Sequence, residues 1–238
     1  MRLILSGGGD GAQVKESYEL FAKELKGGKV LYIPLAWNHG NMESCIDWLR
    51  SELQPFGVKD IEDVLKPEDI TKERLSKASG VFIGGGNTFK LLKMLKETDA
   101  FENLKEYINN NGLVMGGSAG ALIFGKSIET CLKDELSVRG NDENLVGLKD
   151  TNGFDAVKGC SLFVHYKRKP EENKNTEKKV DKLVNAGHKL ICLPEETSVC
   201  VFDNKLTIIG QKPAEIYTNK FKEISYPHGS KGVEVNMI

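Results

Sequence analysis

Apolar residues fall along this chain in two spacings. Short runs with little polar interruption recur at residues 3–6, 30–34, 81–84, 113–116, 162–165 and 190–193. Runs at 198–202 and 206–209 close the series, and a weaker one lies at 59–64. A run without alternation marks a strand buried on both faces, as in a parallel sheet. Between the runs, apolar positions recur at helical spacing. Val14, Tyr18, Phe21, Ala22 and Leu25 form one stripe, stopped by Gly27 and Gly28. Met42, Cys45, Ile46, Leu49 and Leu53 form another, closed before Pro55. Pro67 opens a short helix, and residues 88–95, 101–108 and 180–186 carry three more. Alternating strands and helices predict an α/β fold with a doubly wound, mostly parallel sheet. No repeat or low-complexity linker divides residues 1–238, so a single domain is expected. Residues 126–160 lack periodicity, which predicts irregular structure or hairpins over one end of the sheet.

In such sheets the site lies beyond the carboxyl ends of the strands. That rule leaves six loops: 6–12, 35–40, 84–88, 116–120, 165–171 and 194–197. The fourth holds Gly116-Gly117-Ser118-Ala119-Gly120, a G-x-S-x-G turn between a strand and a helix. A serine on such a turn projects its hydroxyl into the cleft, while flanking glycines remove side chains that would clash. The turn also aims the Ala119 N–H at a developing oxyanion, helped by the helix that follows. Residues 84–88, Gly-Gly-Gly-Asn-Thr, form a second glycine turn. No Lys-Ser or Lys-Thr pair follows it, so it is not a Walker loop. It reads as the second half of an oxyanion hole, with the Gly86 N–H opposite that of Ala119. The first cluster, Gly7-Gly8-Gly9, lacks the acid that a dinucleotide site needs after the second strand.

A serine at neutral pH needs a base, usually a histidine. His165 ends an apolar run at the expected edge and is the first candidate, with His39 on a strand-end loop the runner-up. His188 precedes a strand, which puts it at the opposite edge, and His228 sits in a turn near the C-terminus. An acid should orient the base. Glu129, Asp134, Glu135, Asp142 and Asp155 lie between Ser118 and His165, and the residues alone do not rank them.

Charge excludes some partners. Lys and Arg number 33 against 34 Asp and Glu, a formal net charge of −1. That balance gives no pull toward nucleic acid or an anionic membrane. Five cysteines with no C-x-x-C pair indicate neither a disulfide framework nor a zinc site. No signal peptide or membrane-length apolar run is read, so a reducing cytoplasm is the expected location.

These residues together resemble the dipeptidase E (aspartyl dipeptidase) family of serine peptidases, to which cyanophycinases are more distantly similar. The matching pieces are Gly84 to Phe89 with Leu91-Leu92, Gly117 to Ala121, Asn152-Gly153-Phe154-Asp155, the His165 strand and Leu193-Pro194-Glu195. They keep the family order over nearly the whole chain. The resemblance implies a flavodoxin-like sheet akin to the class I glutamine amidotransferase fold. It implies Ser118 as nucleophile, His165 as base, and Gly86 and Ala119 as oxyanion donors. It places the acid near Lys133-Asp134-Glu135, with Asp134 the best fit and Glu129 the alternative. Asn87 is expected at the substrate. No metal or other cofactor is implied, the expected partner is a small peptide, and the chain is expected as a monomer or homodimer.

One departure bears on specificity. Aspartyl dipeptidases carry an arginine shortly after the histidine, expected to pair the substrate carboxylate. Here that stretch reads Asn175-Thr176-Glu177-Lys178-Lys179. Arg139, Arg168 or a lysine remain as substitutes. The expectation is a serine peptidase acting on short peptides. An esterase or amidase, or a catalytically silent ligand-binding relative, are the rival readings.

Overall fold

The computed structural model describes residues 1–38, 40–137, 141–218, 222–225 and 233–234. The apolar runs become strands: β1 (Arg2–Ser6), β2 (Val30–Ile33), β3 (Ile61–Asp63), β4 (Gly80–Ile83) and β5 (Leu113–Gly117). They pair in parallel in the order β1-β5-β4-β2-β3. Alternate residues of each strand enter opposite layers, and both layers are covered. Ile4, Val30, Tyr32, Phe82 and Met115 meet Tyr18, Phe21, Leu49 and Leu53 of α1 (Lys15–Leu25) and α2 (Met42–Leu53). Leu3, Leu5, Leu31, Ile33, Val81 and Val114 face the other way. There they pack on α3 (Lys72–Lys77), α4 (Thr88–Lys96), α5 (Ala100–Asn109) and α6 (Ala119–Leu122). Two apolar layers explain why these strands read as unbroken apolar runs.

The later runs depart from the expected single sheet. β8 (Thr197–Phe202) and β9 (Lys205–Gly210) form a hairpin that pairs antiparallel with the free edge of β1. β12 (Val233–Glu234) extends that edge, giving eight strands. With β5 on one side and β8 on the other, β1 has no edge left. β6 (Cys160–Phe163) and β7 (Lys189–Cys192) therefore form a second sheet with β10 (Ala214–Tyr217) and β11 (Lys222–Ser225). Within it β6 and β7 are parallel, and the helix α7 (Asn173–Asn185) joins them.

The two sheets are stitched at one seam. Gly7 donates its N–H to Thr197 O at 2.9 Å and accepts from His165 N at 2.9 Å. Gly9 N adds a bond to Glu195 O at 3.2 Å, while Tyr166 N donates to Leu193 O at 3.0 Å within the small sheet's own edge. The described residues of 126–159 carry only a short 3-10 turn and two isolated bridges, as their irregular pattern predicts. Part of this segment is pinned over α4, where Asp142 accepts from Thr88 N at 2.8 Å and Thr88 Oγ1 at 2.7 Å. Among the described residues, no helix is long and apolar enough to cross a membrane.

Candidate active site

Ser118 stands between β5 and α6 with φ 51° and ψ −112°. A non-glycine residue there costs about 1–3 kcal/mol and persists only where its surroundings fix it. The fixing groups are at hand. Ser118 N donates to Ser6 O at 3.3 Å, and Ser118 O accepts from Ala121 N and Leu122 N, both at 2.9 Å. The flanking glycines have a different purpose from the one the motif suggests. A Cβ on Gly116 would lie 2.3 Å from Gly120 O, and one on Gly120 would lie 2.1 Å from Ile83 O. They let α6 lie directly on β5 and β4, rather than clearing space around the serine hydroxyl.

His165 lies two residues beyond β6, also in the left-handed region at φ 54°. Its Nε2 is 2.9 Å from Ser118 Oγ. Its Nδ1 is 2.8 Å from Glu195 Oε1. A proton on Nδ1, donated to that carboxylate, leaves Nε2 free to accept from the serine hydroxyl. Arg168 Nε sits 2.8 Å from the same Glu195 oxygen. Burial alone would raise the Glu195 carboxyl, but the His165 hydrogen bond and the charges of His165 and Arg168 overcome it. The result lies below the ordinary carboxylate value.

The segment after His165 is held from behind. Glu215 of β10 accepts from Tyr166 Oη at 3.0 Å and from Lys167 Nζ at 2.7 Å. Tyr217 Oη donates to it at 2.5 Å, and Lys222 Nζ lies 2.7 Å away. Desolvation opposes this charge, yet the Lys167, Lys222 and Tyr217 contacts prevail and bring Glu215 down to about 2.

The acid expected at Asp134 is corrected. Asp134 points to α7, where Lys182 Nζ is 2.9 Å and Lys179 Nζ 3.4 Å away. Lys179 is almost fully buried and also donates to Leu132 O and to Asn141 Oδ1, so Asp134 anchors a loop rather than orienting the imidazole. Glu129 faces His188 at the opposite sheet edge, 3.2 Å away. The position next to His165 belongs to Glu195, on the loop between β7 and β8. Two marks of it were readable: loop 194–197 is a strand-end loop, and Leu193-Pro194-Glu195 is a family piece. It follows His165 in the chain and so lies outside the stretch between Ser118 and His165.

Asn87, expected at the substrate, has side-chain partners within the protein. It borders the cavity, but its Oδ1 accepts from Lys90 N at 2.8 Å as the cap of α4, and its Nδ2 donates to Glu143 O at 3.0 Å. Its side chain is thus engaged in holding the wall. Gly85 and Gly86 line the same cavity as Ser118, and a Cβ on Gly85 would lie 3.3 Å from Ser118 Cβ. Ala119 follows directly as the first residue of α6. His39, His228 and Arg139 lie outside the described residues.

The Gly7-Gly8-Gly9 cluster has a use that its pattern did not reveal. A Cβ on Gly8 would lie 2.3 Å from His165 Cε1. The loop is bare so that the imidazole can lie against it. Around these groups is a cavity of about 880 Å³, within the usual range for small-ligand sites. Lys133, Asn141, Glu143 and Leu145 of the irregular segment form one of its walls. Among the described residues, no cluster of three or more His, Cys, Asp or Glu could hold a metal ion.

Known proteins share this arrangement of elements. A solved peptidase from an acI-B1 Actinobacterium superposes with a TM-score of 0.71 at 18% identity, covering 98% of this chain and 96% of its own. A protein named Peptidase E from Shewanella denitrificans is 27% identical over 207 residues, 85% of this chain and 83% of its own. Another Peptidase E, from Shigella sonnei, is 29% identical over 229 residues, 91% of each chain. The sequence profile of peptidase family S51 matches residues 3–209. The chain belongs to peptidase family S51 and is a serine-type peptidase.

Proposed function

We propose that this peptidase hydrolyses short peptides through a triad of Ser118, His165 and Glu195. The observation that carries the reading is the continuous hydrogen-bonded line from Ser118 Oγ through both imidazole nitrogens to Glu195. Ser118 Oγ attacks the peptide carbonyl as His165 Nε2 takes its proton. Glu195 holds the imidazole in the required tautomer and faces the charge it gains. The backbone N–H groups of Gly86 and Ala119 receive the oxyanion. As the C–N bond breaks, His165 returns the proton to the leaving amine, leaving an acyl group on Ser118. Water, deprotonated by His165, then attacks this ester and frees the serine. The wall formed by Lys133, Asn141, Glu143 and Leu145 favours short peptides over folded chains.

A fluorophosphonate probe is expected to label Ser118 in the wild-type protein and to spare Ser118→Ala. Dipeptide hydrolysis should fall roughly 10⁴- to 10⁶-fold in that variant, with its circular dichroism unchanged. An unlabelled wild-type protein, or a Ser118→Ala variant of normal activity, would refute the assignment. Faster cleavage of unfolded casein than of dipeptides would refute the short-peptide preference.

A further inference from the structure

A second, smaller cavity opens beside Ser118. It holds about 130 Å³, and its walls are Val14, Tyr18, Trp48, Phe82 and Met115. Gly8, Gly9, Asp10, Gly85 and Ser118 border both cavities, so the two meet at the serine. They differ in chemistry. His165, Arg168 and Glu195 line the larger one, together with Lys133 and Glu143. The smaller one lies on the α1 and α2 side of the parallel sheet, where Tyr18, Phe82 and Met115 belong to the apolar layer.

Three features limit what this cavity accepts. The first is size. An apolar cavity of about 150 Å³ can enclose a benzene ring, so 130 Å³ admits an aliphatic side chain. The second is charge. Among the described residues, Asp10 is the one carboxylate on its border, and no lysine, arginine or histidine lines it. The Tyr18 hydroxyl is engaged with Glu52. An acidic side chain placed here would lose its water, find no cation and face Asp10. The third is the rim. Trp48 is 37% exposed, an indole left half in water at the mouth. A bound apolar side chain would cover it.

The position of His165 decides which part of the substrate enters. His165 hands its proton to the leaving amine, so the leaving residue lies in the larger cavity with it. The residue whose carbonyl is attacked then extends across Ser118 to the other side. We propose that the small cavity is the specificity pocket for that acyl residue and selects a neutral aliphatic side chain of Val, Leu, Ile or Met size. The inference rests on Ser118 acting as the nucleophile proposed above.

The test uses α-aminoboronic acids, which form a tetrahedral adduct with a serine hydroxyl, as competitors of fluorophosphonate labelling. The side chains compared are methyl, isobutyl and carboxymethyl. Burial strengthens binding about fourfold per methylene, so the isobutyl compound should compete on the order of 50-fold better than the methyl one. The carboxymethyl compound should be the weakest. Ala-Ala, Val-Ala, Leu-Ala and Asp-Ala should follow the same order in kcat/KM. Trp48→Arg places a cation at the mouth on a half-exposed position. It should narrow the isobutyl over carboxymethyl preference at least tenfold, with labelling at Ser118 reporting that the site is intact. Wild-type protein that is not labelled at all would overturn the proposed function and this inference with it. Labelled protein with a flat series, or with carboxymethyl preferred, would overturn the inference alone.

Discussion

Ser118 and His165 stand at two corners with nearly the same positive φ, 51° and 54°, yet the two corners are held by different means. The Ser118 corner is held by main chain. β5 runs into α6, and Gly116 and Gly120 let the pieces touch. The His165 corner is held by side chains from distant parts of the chain. Glu215, fifty residues on, grips Tyr166 and Lys167. Glu195 and the bare Gly8 flank the ring itself. A corner built from local backbone leaves a motif in the sequence. A corner built from remote side chains leaves scattered residues with no common spacing.

The comparison can be broken at either corner. The largest effect after loss of Ser118 itself is expected from Glu195→Gln. It removes the charge behind the imidazole and permits the wrong tautomer, so kcat should fall by about 10⁴. Asp134→Asn is the counterpart. It should lower the melting temperature by weakening the hold on Lys179, and keep kcat within about tenfold. If steady-state kinetics showed the reverse, Asp134 and not Glu195 would be the acid partner of His165. Gly8→Ala comes next. The added methyl would displace the imidazole, and a shift of this size costs roughly 10² in kcat. An unchanged rate would show that the ring has room to spare.

Gly120→Ala strikes the other corner, where the methyl would meet the Ile83 carbonyl. Overpacking of this kind costs about 1–3 kcal/mol, or on the order of 3–10 °C in thermal melts. An unshifted melt would argue against the tight helix-on-strand contact. The smallest effect is at Glu215. Its carboxyl is held at about 2, against roughly 4.3 for a free glutamate. A depressed value means stabilisation that is full above the free value and lost as pH falls from about 4 toward 2. Glu215→Gln should flatten that stretch of the acid melting curve. A curve identical to wild type would remove Glu215 from the account of the His165 corner.

Much of the frame was legible. β1, β2, β4 and β5 are covered on both faces, so burial writes itself into each as consecutive apolar residues. Ser118 was legible because the close approach of a strand and a helix needs glycine at fixed offsets. β10 was not, since Ala-Glu-Ile-Tyr hides a buried carboxylate whose partners lie elsewhere. Nor was the second sheet. Nothing local tells β6 and β7 that the β8–β9 hairpin has already taken the edge of β1. Glu195 was legible only as one residue of a strand-end loop, not as the partner of the imidazole. Its approach to His165 follows from the parallel pairing of Phe163 with Cys192, which sends both strands out at one edge.

The seam through Gly7 has one more consequence. In the proposed triad the nucleophile belongs to the large sheet, while the base and its carboxylate hang from the loops of the small one, and Gly7 is bonded to both. A chain that has formed only its parallel core already owns a serine elbow but has no base to activate it. Hydrolysis through that triad thus requires the two sheets to be docked. On that reading an incompletely folded copy is a harmless one, and completing the fold is what arms the proposed triad.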